Sequence, residues 1–247
     1  MATAGTAPQP TPGPSAGQAA GSAGRQDGLL RVLMALTLLS GLVDAVCYLG
    51  LGRVFTANMT GNVVVIGFAA AGAPGFSIPA SLTSLLVFLV GAVAGGRLSQ
   101  RLGKRSRALA VAIWCEAGFV GAAAVVAFVA STVAAGWGRY TTIAILAFAM
   151  GIRNAVIRKL AVPDMTTTVL TQTLTGLAAD SFLAGGQNVR SGRRIAAVVA
   201  MAAGATAGAA LYLHHGAALP LAISAAAAAA TVIALWVSRV GQVLDQI

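Results

Sequence analysis

Charge is what this sequence has least of. Only 9% of its 247 residues are Asp, Glu, Lys or Arg, against roughly 25% in a soluble domain. With 57% hydrophobic residues and a mean hydropathy of +0.84, a water-soluble fold is excluded and an integral membrane protein is expected. Cysteine is nearly absent: Cys47 and Cys115 are the 2 present, each inside an apolar stretch, so neither a disulfide framework nor a thiolate metal site is expected. The 2 histidines, His214 and His215, are adjacent in what reads as a short solvent-facing loop. No Ser/His/Asp or Cys/His set forms around them, and an enzyme is not expected. Gly50-Leu51-Gly52 lacks the spacing of a dinucleotide fingerprint, and Gly103-Lys104 lacks the phosphate-loop pattern.

The net charge of +10 is distributed between apolar segments, not over a polar domain. That is the topogenic pattern of cytoplasmic loops, and it sets nucleic acid aside as a partner. Residues 1–28 hold mainly Ala, Gly, Pro, Ser, Thr and Gln, without the basic start and apolar core of a signal peptide. They read as a disordered cytoplasmic tail, ahead of a single transmembrane domain over 29–247.

A helix needs about 20 largely apolar residues to cross a bilayer. Leu29–Leu51, Ile78–Leu98, Ala108–Ser131, Tyr140–Ile157, Ile195–Leu213 and Leu219–Val237 are read as full spans. Two stretches fall short. Val63–Ala73 is stopped by Pro74-Gly75, and Thr166–Gly186 is crowded with threonine.

Basic residues decide how the short stretches run. If all eight segments crossed, Arg97, Arg101, Lys104, Arg105 and Arg107 would lie outside, with Arg53, Arg153, Arg158 and Lys159. That contradicts the positive-inside rule. If the short segments enter and return, only Arg53 and Arg139 stay outside. The fold class is therefore an all-α polytopic membrane protein: six full transmembrane helices plus two short re-entrant or broken ones, both termini cytoplasmic, in the cell's inner membrane.

The short segments also follow a recurring motif. Gly41-Leu-Val-Asp44-Ala45 is matched about 110 residues later by Gly151-Ile-Arg-Asn154-Ala155, and Thr60-Gly61-Asn62 falls opposite Thr171-Gln172-Thr173. Gly91-Ala-Val-Ala-Gly95 pairs with Gly204-Ala-Thr-Ala-Gly208, both small-xxx-small patterns that let helices approach closely. Three full spans separate the two copies, so the halves, about 29–135 and 136–240, are expected to be inverted.

The stretches GLVDA…VFTANMTGN and AMGIRNAVIRKL…TTTVLTQTLTGLAAD resemble the YoaK-like family of small bacterial membrane proteins, over roughly residues 30–240. The family's function is unknown. Its members often carry Gln-Asn where this chain has Arg153-Asn154, and many carry Thr-Gly at Thr171-Gln172. The resemblance implies a membrane protein and supplies no substrate.

Paired interrupted segments in inverted repeats point to a transporter binding site. A helix starting in mid-membrane offers unpaired N–H groups and a positive dipole end. The substrate-binding candidates are Asp44, Asn58, Thr60, Gly61, Asn62, Asn154, Thr168, Thr171 and Thr173. Asp44 reads as a proton-coupling carboxylate, a cation ligand or an anchor for the re-entrant segment. Glu116 reads as half of an ion pair with an inward Arg, or as a coupling group. Arg153 reads as snorkelling or as an anion contact, and Asp180 as a half-helix end or a loop residue. The expected function is transport or conduction of a small solute or ion; the other reading is a membrane scaffold whose polar residues serve packing. The partners are the lipid bilayer and that solute, with a homo-oligomer left open. No cofactor or metal is expected.

Overall fold

The computed structural model describes residues 16–130, 136–160, 170–188 and 191–237. Among them are eight α-helices: α1 (Ala16–Gly50), α2 (Met59–Ala70), α3 (Ile78–Leu102), α4 (Arg105–Val129), α5 (Trp137–Leu160), α6 (Leu170–Ala179), α7 (Ser191–His215) and α8 (Ala218–Val237). Six are long and apolar enough to span a bilayer, the membrane-grade part of α1 being Asp27–Gly50. The apolar side chains of Leu86, Val90 and Val93 on α3, Phe128 on α4, Val199 on α7 and Trp236 on α8 face outward. Lipid is the surrounding in which such a surface is stable.

Most elements run longer than sequence reading places them. α1 starts at Ala16, upstream of the expected Leu29, and α7 runs on through His215. His214 and His215 thus end a helix instead of forming a loop, though both are exposed as expected. Stop signals are local. Ser77 caps α3 by accepting from the Ala80 N–H at 3.3 Å, and Gly103 ends it at φ 66°. α2 begins at Met59, four residues before the apolar run, because Asn58 and Asn62 act in the turn that launches it.

α1 and α5 form the centre. Apolar residues of α1, α4, α5 and α8 fill one buried cluster, including Leu33, Leu36, Ile113, Val156 and Val232. Val43, Val46, Val120, Leu146 and Leu221 belong to a second. α7 packs on α1 and α3 packs on α5, with backbones in contact. A Cβ added to Gly204 would overlap the Leu38 carbonyl oxygen; one on Gly208 would strike that of Leu42, and one on Gly41 that of Met201. Across α3 and α5, Gly91 meets Phe148, Gly95 meets Ile152, and Gly151 meets Phe88 in the same way. Only glycine permits this spacing.

These contacts fix direction. Gly204 against Leu38 and Gly208 against Leu42 make α7 parallel to α1; Gly91 against Phe148 and Gly95 against Ile152 make α3 parallel to α5. α5 is antiparallel to α1, since Arg139 at its start donates to the Leu51 carbonyl while Arg153 reaches Leu36 and Ser40. It follows that α1 and α3 oppose each other, and likewise α5 and α7. A full crossing between either pair would make its members parallel. α2, 12 residues long, and α6, of 10 residues, are therefore not full crossings.

Candidate functional site

The segment joining α1 to α2 turns back beside α1. Asp44 lies six residues, roughly 9 Å by helical rise, before the end of α1 at Gly50. Its Oδ1 accepts from the backbone N–H of Thr56 at 2.8 Å and of Ala57 at 2.9 Å, and from the Thr56 hydroxyl at 3.3 Å. Oδ2 accepts from the Asn58 amide at 2.5 Å. A charged Asp at mid-helix costs about 2.5–3.5 kcal/mol on insertion scales. Hydrogen bonds to a charged group return about 1.5–3 kcal/mol each, so these donors offset the cost. Of the three readings of Asp44, this geometry is that of the anchor.

Asn62 closes the same turn. Its Oδ1 accepts from the Phe55 N–H at 2.9 Å and its Nδ2 donates to the Phe55 carbonyl at 2.6 Å. Ser84 on α3 donates to that carbonyl at 2.6 Å as well. Gly61 leaves room for the Phe55 ring, which a Cβ there would meet at 2.5 Å. Asn62 and Gly61 thus hold the turn's shape, whereas the Asn58 side chain, spent on Asp44, leaves the start of α2 without a side-chain cap.

Beyond this turn lies a cavity of about 610 Å³. Asn58, Met59 and Thr60 at the start of α2 face Asn154, Ala155 and Arg158 of α5, Phe88 of α3 and Gln172 of α6 across it. Asn154 also donates weakly to the Ala57 carbonyl, at 3.4 Å. The structure brings together Asn58, Thr60 and Asn154 from the expected set. It places Asp44 and Asn62 behind the wall. Thr171 and Thr173 are not among the lining residues; Thr173 is buried and Thr171 is exposed. Thr168 lies outside the described residues.

The other candidate charges, Glu116, Arg153 and Asp180, are paired. Arg153 is fully buried, which corrects the snorkelling alternative: its position faces the bundle centre, not the membrane surface. It donates to Glu116 Oε1 at 2.6 Å and to the Ser40 hydroxyl at 2.6 Å. Asp180 follows the last residue of α6 and pairs with Arg194 of α7 at 2.6 Å. Arg194 also donates to the Gly176 carbonyl at 2.6 Å, a cation on the negative end of a short helix. Among the described residues no three of His, Cys, Asp and Glu gather as a metal site would require.

Arg158, Ser40, Ser84 and Arg194 were not singled out from the sequence. A signal existed for two of them. Ser40 precedes Asp44 by one helical turn, and Ser84 shares the inward face of α3 with Gly91 and Gly95. Arg158 and Arg194 look like ordinary loop-flanking cations until the fold sets Arg158, still exposed, on the cavity wall and buries Arg194.

Residues 32–234 match the model of a family described as "Protein of unknown function (DUF1275)". The chain is similar to the UPF0700 transmembrane protein YoaK of Bacillus subtilis (strain 168), with 33% identity over 153 residues, 60% of this chain. The match covers 65% of that relative's length, just under two thirds. No solved structure matches.

Proposed function

We propose that this chain, which belongs to the DUF1275 family of proteins of unknown function, is a transporter or channel for a small solute or ion. The observation carrying this reading is the cavity, lined from both ends of the sequence motif by Asn58, Thr60, Asn154, Arg158 and Gln172. Its volume falls in the range of small-ligand sites, and a few polar groups interrupt an otherwise apolar wall, as in such sites.

The helix contacts support two inverted halves meeting there. α7 lies on α1 as α3 lies on α5, and α8 on α1 as α4 on α5. Exchanging the halves maps the glycine contacts onto one another: Gly204 on Leu38 answers Gly91 on Phe148, and Gly208 on Leu42 answers Gly95 on Ile152. The short helices α2 and α6 then start near the midplane from opposite sides, an arrangement that transporters use around a central site. In this reading the termini and the 101–107 loop face the cytoplasm, and the solute is moved without being transformed.

Water access tests it. Cysteines replacing Thr60, Asn154 and Gln172 one at a time should react with a membrane-impermeant thiol reagent in reconstituted protein. All three staying inert in folded protein would reject the cavity as a solute path. The second reading, a non-transporting scaffold, draws on Asp44, Asn62 and Arg153 being engaged in packing; inert cysteines are its expected result.

A further inference from the structure

Glu116 is fully buried midway along α4. One carboxylate oxygen, Oε1, takes the Arg153 Nη1 donor at 2.6 Å. Among the described residues Oε2 has no hydrogen-bond partner, and neither has Nε of Arg153. Across the pair, Nη2 of Arg153 holds the Ser40 hydroxyl at 2.6 Å, so α4, α5 and α1 meet at one ionic contact.

Few other charges approach. α8, packed on α4, carries no titratable residue between Ala218 and Val237. α3 brings only Arg97 and Arg101, near its C-terminal end. On α4 itself Arg105 and Arg107 occupy the first turn, and Cys115 is half-buried. α5 adds Arg139 and Tyr140 at its start and Arg158 and Lys159 at its end. α1 contributes Asp44 and Cys47, both buried, with Asp44 one turn beyond Ser40 on the same face; its Asp27 and Arg31 are exposed toward its start, and Tyr48 is half-buried near its end.

A buried ion pair is a poor source of stability, because desolvating two charges offsets their attraction. Leaving Oε2 and Nε without partners worsens that balance. Such a pair suits a group whose charge changes during a working cycle. Resting on the transport reading above, we propose that Glu116 is a proton-binding site coupled to the cavity, so that the solute moves together with a proton. The proton arrives from water and adds to Oε2, leaving a neutral acid. Arg153 keeps its charge but loses its counter-ion, with Ser40 and the Leu36 carbonyl as its remaining acceptors. The next carboxylate along that face is Asp44, whose Oδ2 is held by Asn58. Arg153 turning toward Asp44 competes with Asn58, and it carries its chain neighbour Asn154. Asn58 and Asn154 both line the cavity. Return of the proton to water restores the Glu116–Arg153 pair.

The test uses the full chain in liposomes, with Cys47→Ala and Cys115→Ala as background. Acidification should produce the infrared carbonyl stretch of a protonated carboxylic acid in an apolar surrounding, and Glu116→Gln should abolish it. Labelling of Thr60→Cys, normalised to a cysteine at Gly103, should change about tenfold between pH 5.5 and 8 with Glu116 present, and less than about twofold in Glu116→Gln. No band, or a band surviving Glu116→Gln, overturns the proton site. A normalised rate with the same pH dependence in both proteins overturns the coupling alone and leaves the transport reading standing. No labelling at either pH overturns both. Should Glu116→Gln fold poorly, the double variant Glu116→Gln with Arg153→Gln removes both charges and serves the same comparison.

Discussion

Asp44 takes a carboxylate into a transmembrane helix, and four donors from one turn receive it. Two are backbone N–H groups, of the buried residues Thr56 and Ala57. Asp44→Ala should therefore cost more than the lost charge implies, since each buried donor left unpaired is worth about 1–3 kcal/mol. Asp44→Asn keeps an acceptor oxygen for both N–H groups, and Asn58 can reverse its amide to meet the new one. Thermal unfolding in detergent should rank wild type highest, Asn below it by roughly 1 kcal/mol, and Ala clearly lowest. Equal midpoints for Asn and Ala would mean that charge, not the turn, is what Asp44 supplies. Arg153→Met should be harsher, about 3–5 kcal/mol, because Glu116 is stranded; adding Glu116→Met should recover most of the loss. Much of this was legible beforehand, since a lone Asp or Glu in an apolar helix demands a partner. The identity of the partners was not. Arg153 sits 37 residues from Glu116, and nothing local in either segment names the other.

Helix to helix, the glycines govern the approach. The small-xxx-small pairs predicted close packing, and the structure adds what they pack against: carbonyl oxygens of Leu38 and Leu42 on α1, and of Phe148 and Ile152 on α5. Gly91→Val and Gly204→Val should each force apart two backbones that have no side chain able to yield. Comparable losses in unfolding temperature are expected, because the two interfaces use corresponding positions. Gly96→Ala is the control, with nothing within 4 Å of an added Cβ. It should be neutral or gain up to about 1 kcal/mol of helix propensity. A large loss at Gly91 beside none at Gly204 would argue against equivalent interfaces. Element ends were harder to read. Hydropathy places the start of α2 at Val63 because Met59 to Asn62 are not a membrane-like run, yet the helix starts where Asn58 and Asn62 fasten the turn to Asp44 and Phe55. A polar residue that anchors backbone looks, in sequence alone, like one that breaks a helix.

For the molecule as a whole, direction is over-determined. The positive-inside count and the α1–α5 contacts are independent, and they agree that α2 and α6 do not cross. The charge count depends on loops, whereas the contacts depend on packed helices: Arg139 against Leu51, Arg153 against Ser40. Both give the same labelling outcome. A cysteine at Gly75, in the turn between α2 and α3, should be modified from the side opposite to one at Gly103, in the turn between α3 and α4, because the full span α3 separates them. Gly75 should share its side with a cysteine at Gly52, since α2 returns to the face that α1 reached; the Arg53 guanidinium lies 5.0 Å over the Phe76 ring and already ties those two turns together. Impermeant-reagent labelling of intact cells against inverted vesicles reads this directly. Gly52 and Gly75 on opposite sides would make α2 a crossing helix. α1 and α3 would then have to run parallel, which the contacts of Arg139 and Gly91 with the central pair do not allow.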